Sequence, residues 1–527
     1  MGLYLNPNGA YFEEVVASEM YVDKTMLIAK LNALLGTSEK FICVSRPRRF
    51  GKTIAGAMIA SYYSKGCDSH KVFAPLKIAS DPTFRKNLNK FNVIHIDVNA
   101  FYNSIPDRTK IIESITQAVN AELSLSFPSA RIGVSASFSE ALLSVYAATG
   151  EKFILILDEY DVLVRENVDD AIFDAYLRFL NSLFKNATLK PAIALGYLTG
   201  ILPIVRDRIQ SKLNEFNEYS MIDAGDFSEF VGFTEDEVKN LCGHYGVDFA
   251  ECQRWYNGYL MADGSRIYSP RSVVTAMKKK RFGDYWTQTS SYEALKMYIL
   301  MNFEGIKDNV VTMLGGGRVK VNVLKYVNTI SDFHSKDDVF TYLIHLGYLA
   351  YDDSKKQCFI PNDEVRTEWL NCIEDETDYK AVVSLIEDSR ELLERTLQKD
   401  GDYIAAALDK AHSKATNPLT YNNEASLQSA IGLAYFYATA EYSIFKELPT
   451  GKGYADVVFV PHVPKSWHPA LIVELKVNDS VGSALNQIEK QRYYEKLELY
   501  KDNLLFVAIQ YDKKTKKHTC RIEQFSA

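Results

Sequence analysis

A loop rich in positive charge follows the first apolar run of the chain. Residues 45–53 read Ser-Arg-Pro-Arg-Arg-Phe-Gly-Lys-Thr, after the apolar run Phe41–Val44 and before a predicted helix at Thr53–Tyr63. A strand, a loop ending in Gly-Lys-Thr and a helix form the context of a phosphate-binding Walker A loop, in which backbone N–H groups surround phosphates. In that pattern Lys52 would contact the β- and γ-phosphates of a nucleotide, and Thr53 would bind Mg²⁺.

The loop departs from the usual pattern at its first position, where Arg46 replaces the expected glycine. A lone Gly-Lys-Thr is a weak signal that a basic helix N-terminus also explains. Positive side chains this close together repel one another unless an anion neutralises them, which favours phosphate binding. We predict that the arginines contact phosphate or sugar; the alternative is that they pair with acids of the middle region and sense its closure. The predicted nucleotide-binding residues of the loop are Arg46, Pro47, Arg48, Arg49, Phe50, Gly51, Lys52 and Thr53.

A pair of acids, Asp158 and Glu159, directly follows the continuous apolar run Phe153–Leu157. Such a run is typical of a strand that is covered on both faces. Ligands of doubly wound sheets bind at the carboxyl ends of the strands, so one acid there can hold Mg²⁺ and the next can act as a general base on water. We therefore predict that Asp158 binds metal and that Glu159 is catalytic. Thr199, at the end of another predicted strand, is expected either to contact the γ-phosphate or to belong to a simple turn.

A second group of charged residues lies near the C-terminus. Asp456 begins an apolar run, and Glu474 and Lys476 lie within another, Ala470–Val477. Side chains alternate along a strand, so Glu474 and Lys476 share a face and cannot both be buried there unless they pair or bind something. If the two strands are neighbours, Asp456 meets Glu474, and two converging carboxylates favour a divalent cation between them. A lysine beside that cation can orient water or stabilise charge on a phosphate. Glu-x-Lys alone also occurs in salt-bridged edge strands.

Positioning these residues requires a layered fold. The chain has 527 residues, of which 47% are hydrophobic and 24% charged, as in folded soluble proteins, and this composition excludes wholesale disorder. Up to about residue 225, strand and helix signals alternate, which indicates an α/β fold with a parallel, doubly wound sheet. The predicted strands are Phe41–Val44, Val93–Val98, Phe153–Leu157 and Ala192–Leu198, and the predicted helices include Thr53–Tyr63 and Ala171–Phe184.

Two further regions follow this part of the chain. The middle region is predicted to be mostly helical, and a helix, a hairpin and a second helix between Val339 and Asp363 suggest a winged-helix-like unit. Such a unit often serves as a spacer or lid, which we favour over DNA binding. The last region returns to mixed signals, with strands at Asp456–Val460, Ala470–Val477 and Leu504–Gln510 and helices at Ala425–Ala440 and Ala484–Leu499. The expected domains are therefore 1–225, 226–415 and 416–527.

Composition also bears on location and partners. Seven cysteines, none in a Cys-x-x-Cys pair, favour structural thiols in a reducing compartment over a thiolate zinc site. The N-terminus lacks a signal-peptide pattern, and the most apolar stretch, residues 191–205, is too short to cross a bilayer. We expect a cytoplasmic protein without a membrane partner. The net charge of −7 does not attract nucleic acid as a whole, and we favour a solvated turn for the local cluster Lys513, Lys514, Lys516 and Lys517.

Several segments together resemble one protein family. They are Tyr-Val-Asp-Lys-Thr at 21–25, the loop at 46–53, Leu-Ile-Leu-Asp-Glu-Tyr-Asp at 155–161 and Leu-Thr-Gly-Ile-Leu-Pro-Ile at 198–204. These segments resemble the AAA-ATPase-like family found mainly in bacteria, whose phosphate loop commonly reads Arg-Pro-Arg-Arg-Phe-Gly-Lys. The resemblance extends to Trp255–Tyr259 and to Tyr285–Trp286, which we interpret as packing between lobes. It implies a P-loop NTPase domain that uses ATP and Mg²⁺, usually with a nuclease-like domain at the C-terminus.

The C-terminal pattern is similar to the PD-(D/E)XK nuclease superfamily. The resemblance implies that Asp456, Glu474 and Lys476 form the site of a small restriction-endonuclease-like α/β domain. It also implies a role for Glu424, as the acid of the first helix, and for Gln487, as the glutamine that many members carry in the helix after the lysine. Tyr493 is a further candidate of that helix. Relatives usually have arginine at the place of Tyr454, a departure that bears on substrate contacts more than on metal binding.

Two functional hypotheses fit these residues. In the first, an ATPase domain controls a Mg²⁺-dependent nuclease domain that acts on DNA or RNA. In the second, the chain is a nucleotide-binding signalling or scaffold protein whose nuclease-like domain only binds nucleic acid or a protein partner. Both require ATP binding, but only the first requires phosphodiester cleavage that is lost in Lys476→Ala. The complete set of aspartate, glutamate and lysine favours the first.

Overall fold

The protein is described by a computed structural model whose residues fall into two compact units. Unit 1 contains Met1–Gln288 and Lys320–Glu364, and unit 2 contains Thr289–Val319 and Val365–Ala527. The structure describes residues 2–166, 168–203, 215–286, 292–301, 303, 305–326, 333–374, 376, 379–414, 431–440, 442–450, 453–461, 468–491, 497, 500 and 502–525.

The described strands are numbered here in chain order. They are β1 Phe41–Ser45, β2 Asn92–Asp97, β3 Phe153–Asp158, β4 Ile193–Gly200, β5 Asn217–Tyr219, β6 Phe233–Thr234, β7 Tyr259–Leu260, β8 Arg266–Tyr268, β9 Val319–Lys320, β10 Ala350–Asp352, β11 Gln357–Phe359, β12 Tyr442–Thr450, β13 Gly453–Pro461, β14 Ala470–Val477, β15 Leu504–Asp512 and β16 Lys517–Gln524.

The described α-helices are numbered in the same way. They are α1 Ala10–Val16, α2 Met26–Leu34, α3 Lys52–Tyr63, α4 His70–Phe73, α5 Phe84–Asn87, α6 Val98–Ser104, α7 Ile111–Ser126, α8 Phe138–Thr149, α9 Val162–Arg165, α10 Asp170–Phe184, α11 Glu235–Tyr245, α12 Phe249–Tyr256, α13 Pro270–Lys279, α14 Tyr292–Ile299, α15 Ile306–Leu314, α16 Lys336–Leu346, α17 Asp363–Ile373, α18 Lys380–Glu387, α19 Ser389–Leu397, α20 Gly401–Lys414 and α21 Val481–Gln491.

Unit 1 is built on a five-stranded sheet in the order β2-β3-β4-β1-β5. All four pairings in this sheet are parallel, which confirms the predicted parallel sheet. The four strands expected from the sequence are present at β1 to β4. The sequence did not predict β5, because its residues Asn-Glu-Tyr form no apolar run.

The central strands of this sheet are buried along their whole length. Every residue of β1, β3 and β4 is buried, as expected for strands that helices cover on both faces. Apolar residues of α7, α8 and α10 join one core cluster with these strands. Helix α3 packs against β2 and β3. If Gly56 of this helix carried a side-chain carbon, that carbon would lie 3.4 Å from the His95 ring and 3.7 Å from Ile156. The phosphate-loop helix is therefore seated closely on β2 and β3.

The predicted helix–hairpin–helix of the middle region is also present. Helix α16 ends at Gly347, whose φ of +91° suits a left-handed C-cap. Strands β10 and β11 then form an antiparallel hairpin, and α17 follows it. That this helix–hairpin–helix unit acts as a spacer or lid stays a prediction.

Unit 2 contains a second five-stranded sheet, in the order β12-β13-β14-β15-β16. The pair β14–β15 is parallel and the other three pairs are antiparallel. Helix α21 packs on it through Ala484, Leu485 and Ile488, which share a core cluster with residues of β13, β14 and β15. The predicted strands β13, β14 and β15 are confirmed, whereas β12 and β16 were not predicted. Of the expected helix Ala425–Ala440, residues 425–430 lie outside the described residues, and Phe436–Ala440 forms a 3-10 helix.

The two observed units do not test the expected domain boundaries. The predicted middle region contributes residues to both units, and the division at 225 and 415 stays a prediction. Among the residues that the structure describes, no helix is long and apolar enough to cross a membrane.

Candidate functional site

The first candidate site is the loop between β1 and α3. Gly51 caps α3 with a left-handed φ of +94°, a conformation that side chains with a Cβ rarely adopt. Lys52 is the first residue of α3 and is only 4% exposed. Its ammonium donates hydrogen bonds of 3.0 Å to the carbonyl oxygens of Arg46 and Pro47. Burial lowers the pKa of Lys52, an effect that nearby acids, Glu159 first, oppose. The ammonium is thus held across the loop by neutral acceptors.

The predicted acids lie at the same edge of the sheet as this loop. Asp158 is the last residue of β3 and is aligned with Thr199 on β4 and with Asp97 on β2. Burial raises the pKa of Asp158 to about 6, and a hydrogen bond with Thr53 opposes that rise. Thr199 is fully buried, and its hydroxyl oxygen has no hydrogen-bond partner among the described residues. The structure therefore brings Lys52, Thr53, Asp158 and Thr199 together at the carboxyl ends of neighbouring parallel strands.

Glu159 is held in an unusual backbone conformation beside this cluster. Its φ is +50°, in the left-handed region that few residues other than glycine adopt. Its carboxylate lies 3.9 Å from the Lys52 ammonium and forms an ion pair with Arg165 of α9. Arg165 also pairs with Asp161 at 3.1 Å. The predicted general base is thus adjacent to the loop and engaged by a cation.

Asp161 is an important residue that the sequence reasoning missed. It is fully buried, and its Oδ2 accepts hydrogen bonds from the backbone N–H groups of Ile201 at 3.0 Å and Leu202 at 2.8 Å. This carboxylate therefore fixes the chain just after Thr199. The signal for it is the last acid of the segment Leu-Ile-Leu-Asp-Glu-Tyr-Asp at 155–161.

Arg46 requires a correction, because its side chain does not face the cavity beside the loop. The residue is 0% exposed, and its guanidinium donates to the carbonyl oxygens of Ser45, Tyr219 and Phe227. Burial lowers the pKa of Arg46 to about 10, which still leaves it charged near neutral pH. The expected glycine position is occupied by a buried anchor that ties the loop to β1 and β5, rather than by a phosphate contact.

Arg48, Arg49 and Phe50 line a cavity of about 640 Å³ that continues from the loop. Arg49 donates from its guanidinium to the backbone carbonyl of Tyr285 at 2.9 Å. Burial lowers the pKa of Arg49, and the charges of Glu364 and Asp284 in the middle region oppose that fall. The lining of the cavity is mainly apolar and includes Val22, Met58, Phe230, Phe233 and Val274. The arrangement joins a cationic loop to an apolar recess, which suits a molecule with an anionic part and a flat apolar part.

The second candidate site lies in unit 2, on β13 and β14. These strands are antiparallel neighbours, as the sequence reasoning required, with Val457 opposite Val473. Asp456 precedes that pair and Glu474 follows it, so the two acids lie at the same end of the pairing. Asp456 Oδ2 accepts a hydrogen bond of 2.8 Å from the backbone N–H of Leu475, which directs the carboxylate toward β14.

Glu474 is the most perturbed group of this site. It is 0% exposed, and burial and the charge of Asp456 raise its pKa to about 7. The Lys476 ammonium lies 3.0 Å from Glu474 Oε1 and opposes that rise. Glu474 Oε2 is buried without a hydrogen-bond partner among the described residues. A buried carboxylate oxygen without a donor, next to a second carboxylate, has the character of a ligand for a hard cation.

The structure describes only some of the remaining predicted site residues. Gln487 is a half-buried residue of α21, the helix that packs on β14 and β15. Glu424 and Tyr493 lie outside the described residues, as does the side chain of Tyr454. Lys513, Lys514 and Lys516 occupy the turn between β15 and β16, where the Asp512 carboxylate accepts from the backbone N–H groups of Lys514 and Thr515. In the described part of the chain, no group of three or more His, Cys, Asp or Glu side chains forms a metal-binding cluster.

Comparisons with known proteins separate the same two parts of the chain. Residues 10–210 match the model of the AAA-ATPase-like family, described as a predicted AAA-ATPase. Residues 422–520 match the model of the PD-(D/E)XK nuclease superfamily. An uncharacterized protein in the vnfD 5′ region of Azotobacter chroococcum mcd 1 is 26% identical over 279 residues. The match covers 51% of this chain and 51% of that protein, so the chain spans about half the length of this relative.

Two solved structures were also compared with the whole chain. The Aeropyrum pernix ORC2 protein in its ADPNP–ADP complexes has a TM-score of 0.31 at 12% identity, covering 68% of this chain and 97% of its own. The replication initiator DnaA bound to AMPPCP and single-stranded DNA has a TM-score of 0.25 at 12% identity, covering 76% and 97%. The two family matches fall on the parallel sheet with the loop between β1 and α3 and on the mixed sheet with its acidic pair, so the chain has an AAA-ATPase-like region at 10–210 and a region similar to the PD-(D/E)XK nuclease superfamily at 422–520.

Proposed function

We propose that the protein binds and hydrolyses ATP at the loop of unit 1, and that this reaction controls a Mg²⁺-dependent nuclease site in unit 2 that acts on DNA or RNA. The observation that carries the proposal is the convergence of Lys52, Thr53, Asp158 and Thr199 at the carboxyl edge of a parallel sheet. That edge is where open α/β sheets bind their ligands.

The loop is suited to a triphosphate. Lys52 donates to two backbone carbonyls, and phosphate oxygens offer stronger, charged acceptors for the same ammonium. The Arg48 and Arg49 side chains line the same cavity and add positive charge beside it. The apolar side chains of the same cavity would suit a purine base. Together these features favour ATP over a small inorganic anion.

A magnesium ion fits beside the triphosphate on chemical grounds. Thr53 and Asp158 offer a hydroxyl and a carboxylate, and the burial that raises the pKa of Asp158 is a cost that a bound cation would offset. The ion would neutralise charge on the phosphates. Glu159 is the proposed acceptor of the proton from the attacking water, and Arg165 is the proposed cation that holds Glu159 in place.

The acidic pair of unit 2 fits a second magnesium site. Asp456 and Glu474 would hold the ion, since oxygen ligands suit hard cations and Glu474 Oε2 has no other described partner. Such an ion would polarise a phosphodiester oxygen. Lys476 would orient the attacking water or the phosphate, and Gln487 and Glu424 are proposed to assist. The nucleic acid would be held mainly through its phosphates, so binding should weaken as salt rises.

A nuclease assay with the full chain tests this function. Single-stranded DNA, double-stranded DNA and RNA are incubated with Mg²⁺ or Mn²⁺, with and without ATP. We expect cleavage in the wild type, its loss in Lys476→Ala, and loss of its ATP dependence in Lys52→Ala. Lys410→Ala, at an exposed lysine of α20, and Lys65→Ala, at a surface ion pair, are matched controls for the two changes. Absence of cleavage by the wild type under every condition, with nucleic acid bound, would replace this function by that of a nucleotide-binding scaffold.

A further inference from the structure

The segment Tyr285–Trp286 contacts the phosphate-binding loop directly. The indole N–H of Trp286 donates a hydrogen bond of 3.1 Å to the backbone carbonyl of Arg48. In the opposite direction, the Arg49 guanidinium donates to the backbone carbonyl of Tyr285 at 2.9 Å. Trp286 is 4% exposed, so water does not readily replace this contact. Two consecutive residues of the loop are therefore bonded to two consecutive residues of the middle region.

A buried acid, Glu364, is hydrogen-bonded to the segment Tyr285–Trp286. Glu364 Oε1 accepts hydrogen bonds from the backbone N–H groups of Tyr285 at 2.8 Å and Trp286 at 2.9 Å. Glu364 is 2% exposed, and burial raises its pKa to about 8. Burying an acid is costly unless hydrogen bonds and nearby positive charge offset the cost. The position of Tyr285 and Trp286 is therefore tightly specified.

Other loop residues have partners in the same region. The Phe50 ring meets the Tyr259 ring edge-on with centroids 5.4 Å apart, and the Tyr259 hydroxyl donates to the Gly347 carbonyl at 2.8 Å. A side-chain carbon at Gly347 would lie 2.8 Å from Pro47, so only glycine permits this approach. Every loop position from Pro47 to Phe50 is thus in contact with residues that follow the parallel sheet in the chain.

The loop has a physical need for such support. Arg49 adopts a left-handed φ of +69°, which is unfavourable for a residue with a side chain. The glycine that the Walker A pattern places first is absent, and Arg46 points into the core instead. Contacts from outside the loop must therefore maintain its shape.

We propose that Trp286, supported by Glu364, is a positioning residue for the phosphate-binding loop, so that affinity for a nucleoside triphosphate depends on this distant segment. The proposal rests on the proposed function of the loop. The chain leaves unit 1 just after Trp286, at Gln288, and leaves it again directly after Glu364. The hydrogen bonds that hold the loop are therefore formed next to two of the places where the chain passes between units.

Equilibrium binding of ATP with Mg²⁺ to the full chain tests this inference. Trp286→Phe keeps the aromatic packing and removes the N–H donor, so we expect about fivefold weaker binding, which corresponds to the loss of one hydrogen bond of about 1 kcal/mol. Steady-state ATPase rates should show a raised KM with kcat preserved. Trp255→Phe, at a half-buried tryptophan that does not line the loop cavity, is the matched control and should leave both unchanged.

A second pair of variants keeps the test decisive if Trp286→Phe does not fold. Glu364→Gln retains an acceptor oxygen and should bind ATP within twofold of the wild type, whereas Glu364→Ala should bind more weakly. A merely structural role would lower the melting temperature of the variants without changing KM. Unchanged ATP affinity in folded Trp286→Phe, or in folded Glu364→Ala, would overturn the inference. A wild type that binds no nucleotide would instead refute the proposed function, and this inference with it.

Discussion

The two candidate sites differ in the sign of their excess charge. Among the residues that the structure describes, the cavity at the loop is lined by the cations Lys24, Arg48, Arg49, Lys52 and Arg271 and by the acids Glu14 and Glu159. At the C-terminal site, the Glu474 carboxylate interacts with the charge of Asp456 and, among the described residues, with the cation Lys476. The first site therefore has surplus positive charge and the second surplus negative charge.

Lys52 and Glu474, the key buried groups of the two sites, also differ in their hydrogen-bond partners. Lys52 already donates to two backbone carbonyls, so its ammonium can exchange neutral acceptors for phosphate oxygens. Glu474 uses one oxygen for Lys476, while its other oxygen is buried without a described partner. A desolvated group is costly unless an oppositely charged partner compensates it. The comparison thus indicates an anion at the loop and a cation at the acidic pair.

The largest effect is expected for Glu159→Gln. This change keeps the shape of the side chain and removes the proton acceptor, so ATP turnover should fall on the order of 100-fold or more while ATP binding is retained. Steady-state ATPase rates and equilibrium binding measure the two properties separately. Loss of binding together with turnover would show that Glu159 organises the loop rather than the reaction.

Lys52→Ala should have the next largest effect, on nucleotide affinity. Removing a charge-assisted contact with phosphate costs about 1.5–3 kcal/mol, which weakens ATP binding roughly 10- to 100-fold and should abolish hydrolysis. The response of unit 2 to Mg²⁺ should be unchanged in this variant. Equal ATPase rates in the wild type, Lys52→Ala and Glu159→Gln would disprove the nucleotide site.

The sequence predicted most of the elements that carry the first site. Phe41–Ser45 and Phe153–Asp158 are continuous apolar runs, and their burial on both faces follows from that pattern. The sequence could not predict β5, because this short polar strand is held by its pairing with β1. Nor could it predict the burial of Arg46, because the acceptors of that guanidinium come from Tyr219 and Phe227, distant in the chain.

The same limit applies to the second site. Alternation along β14 predicted that Glu474 and Lys476 share a face, and their ion pair agrees with that prediction. The sequence did not predict β12 or β16, the two outer strands of this sheet. In β16, exposed and buried residues alternate over the first half of the strand. Tertiary partners, rather than local pattern, decide such positions.

Glu474→Gln should have a smaller effect, on metal binding by unit 2. Removing one of two anionic ligands is expected to weaken Mg²⁺ binding about tenfold, since a charged contact is worth about 1.5 kcal/mol or more. The Mg²⁺-dependent shift in melting temperature, at saturating and subsaturating ion, reports this affinity. The exposed acid Glu391 offers a matched control through Glu391→Gln. Equal Mg²⁺ responses in both variants and the wild type would remove the metal site from the account.

The smallest expected effect is a pH dependence of that same Mg²⁺ response. The pKa of Glu474 is raised to about 7, above its usual value, so between these values the folded chain holds a proton that the unfolded chain releases. The stability that this proton contributes is therefore lost as pH rises toward 7. A metal ion must displace the proton, so Mg²⁺ should bind more tightly at pH 8 than at pH 6 in the wild type. Glu474→Gln should lose this dependence; its persistence there would assign the titration to another group.

The account predicts an anion at the loop of unit 1 and a cation at the acidic pair of unit 2. A crystal structure of the full chain with a non-hydrolysable ATP analogue and Mn²⁺ tests this most directly. Anomalous scattering locates each Mn²⁺ independently of the protein coordinates. The account predicts the triphosphate against Lys52, one Mn²⁺ beside Thr53 and Asp158, and another between Asp456 and Glu474. A nucleotide bound away from the loop, or acidic side chains in unit 2 without Mn²⁺ between them, would contradict it.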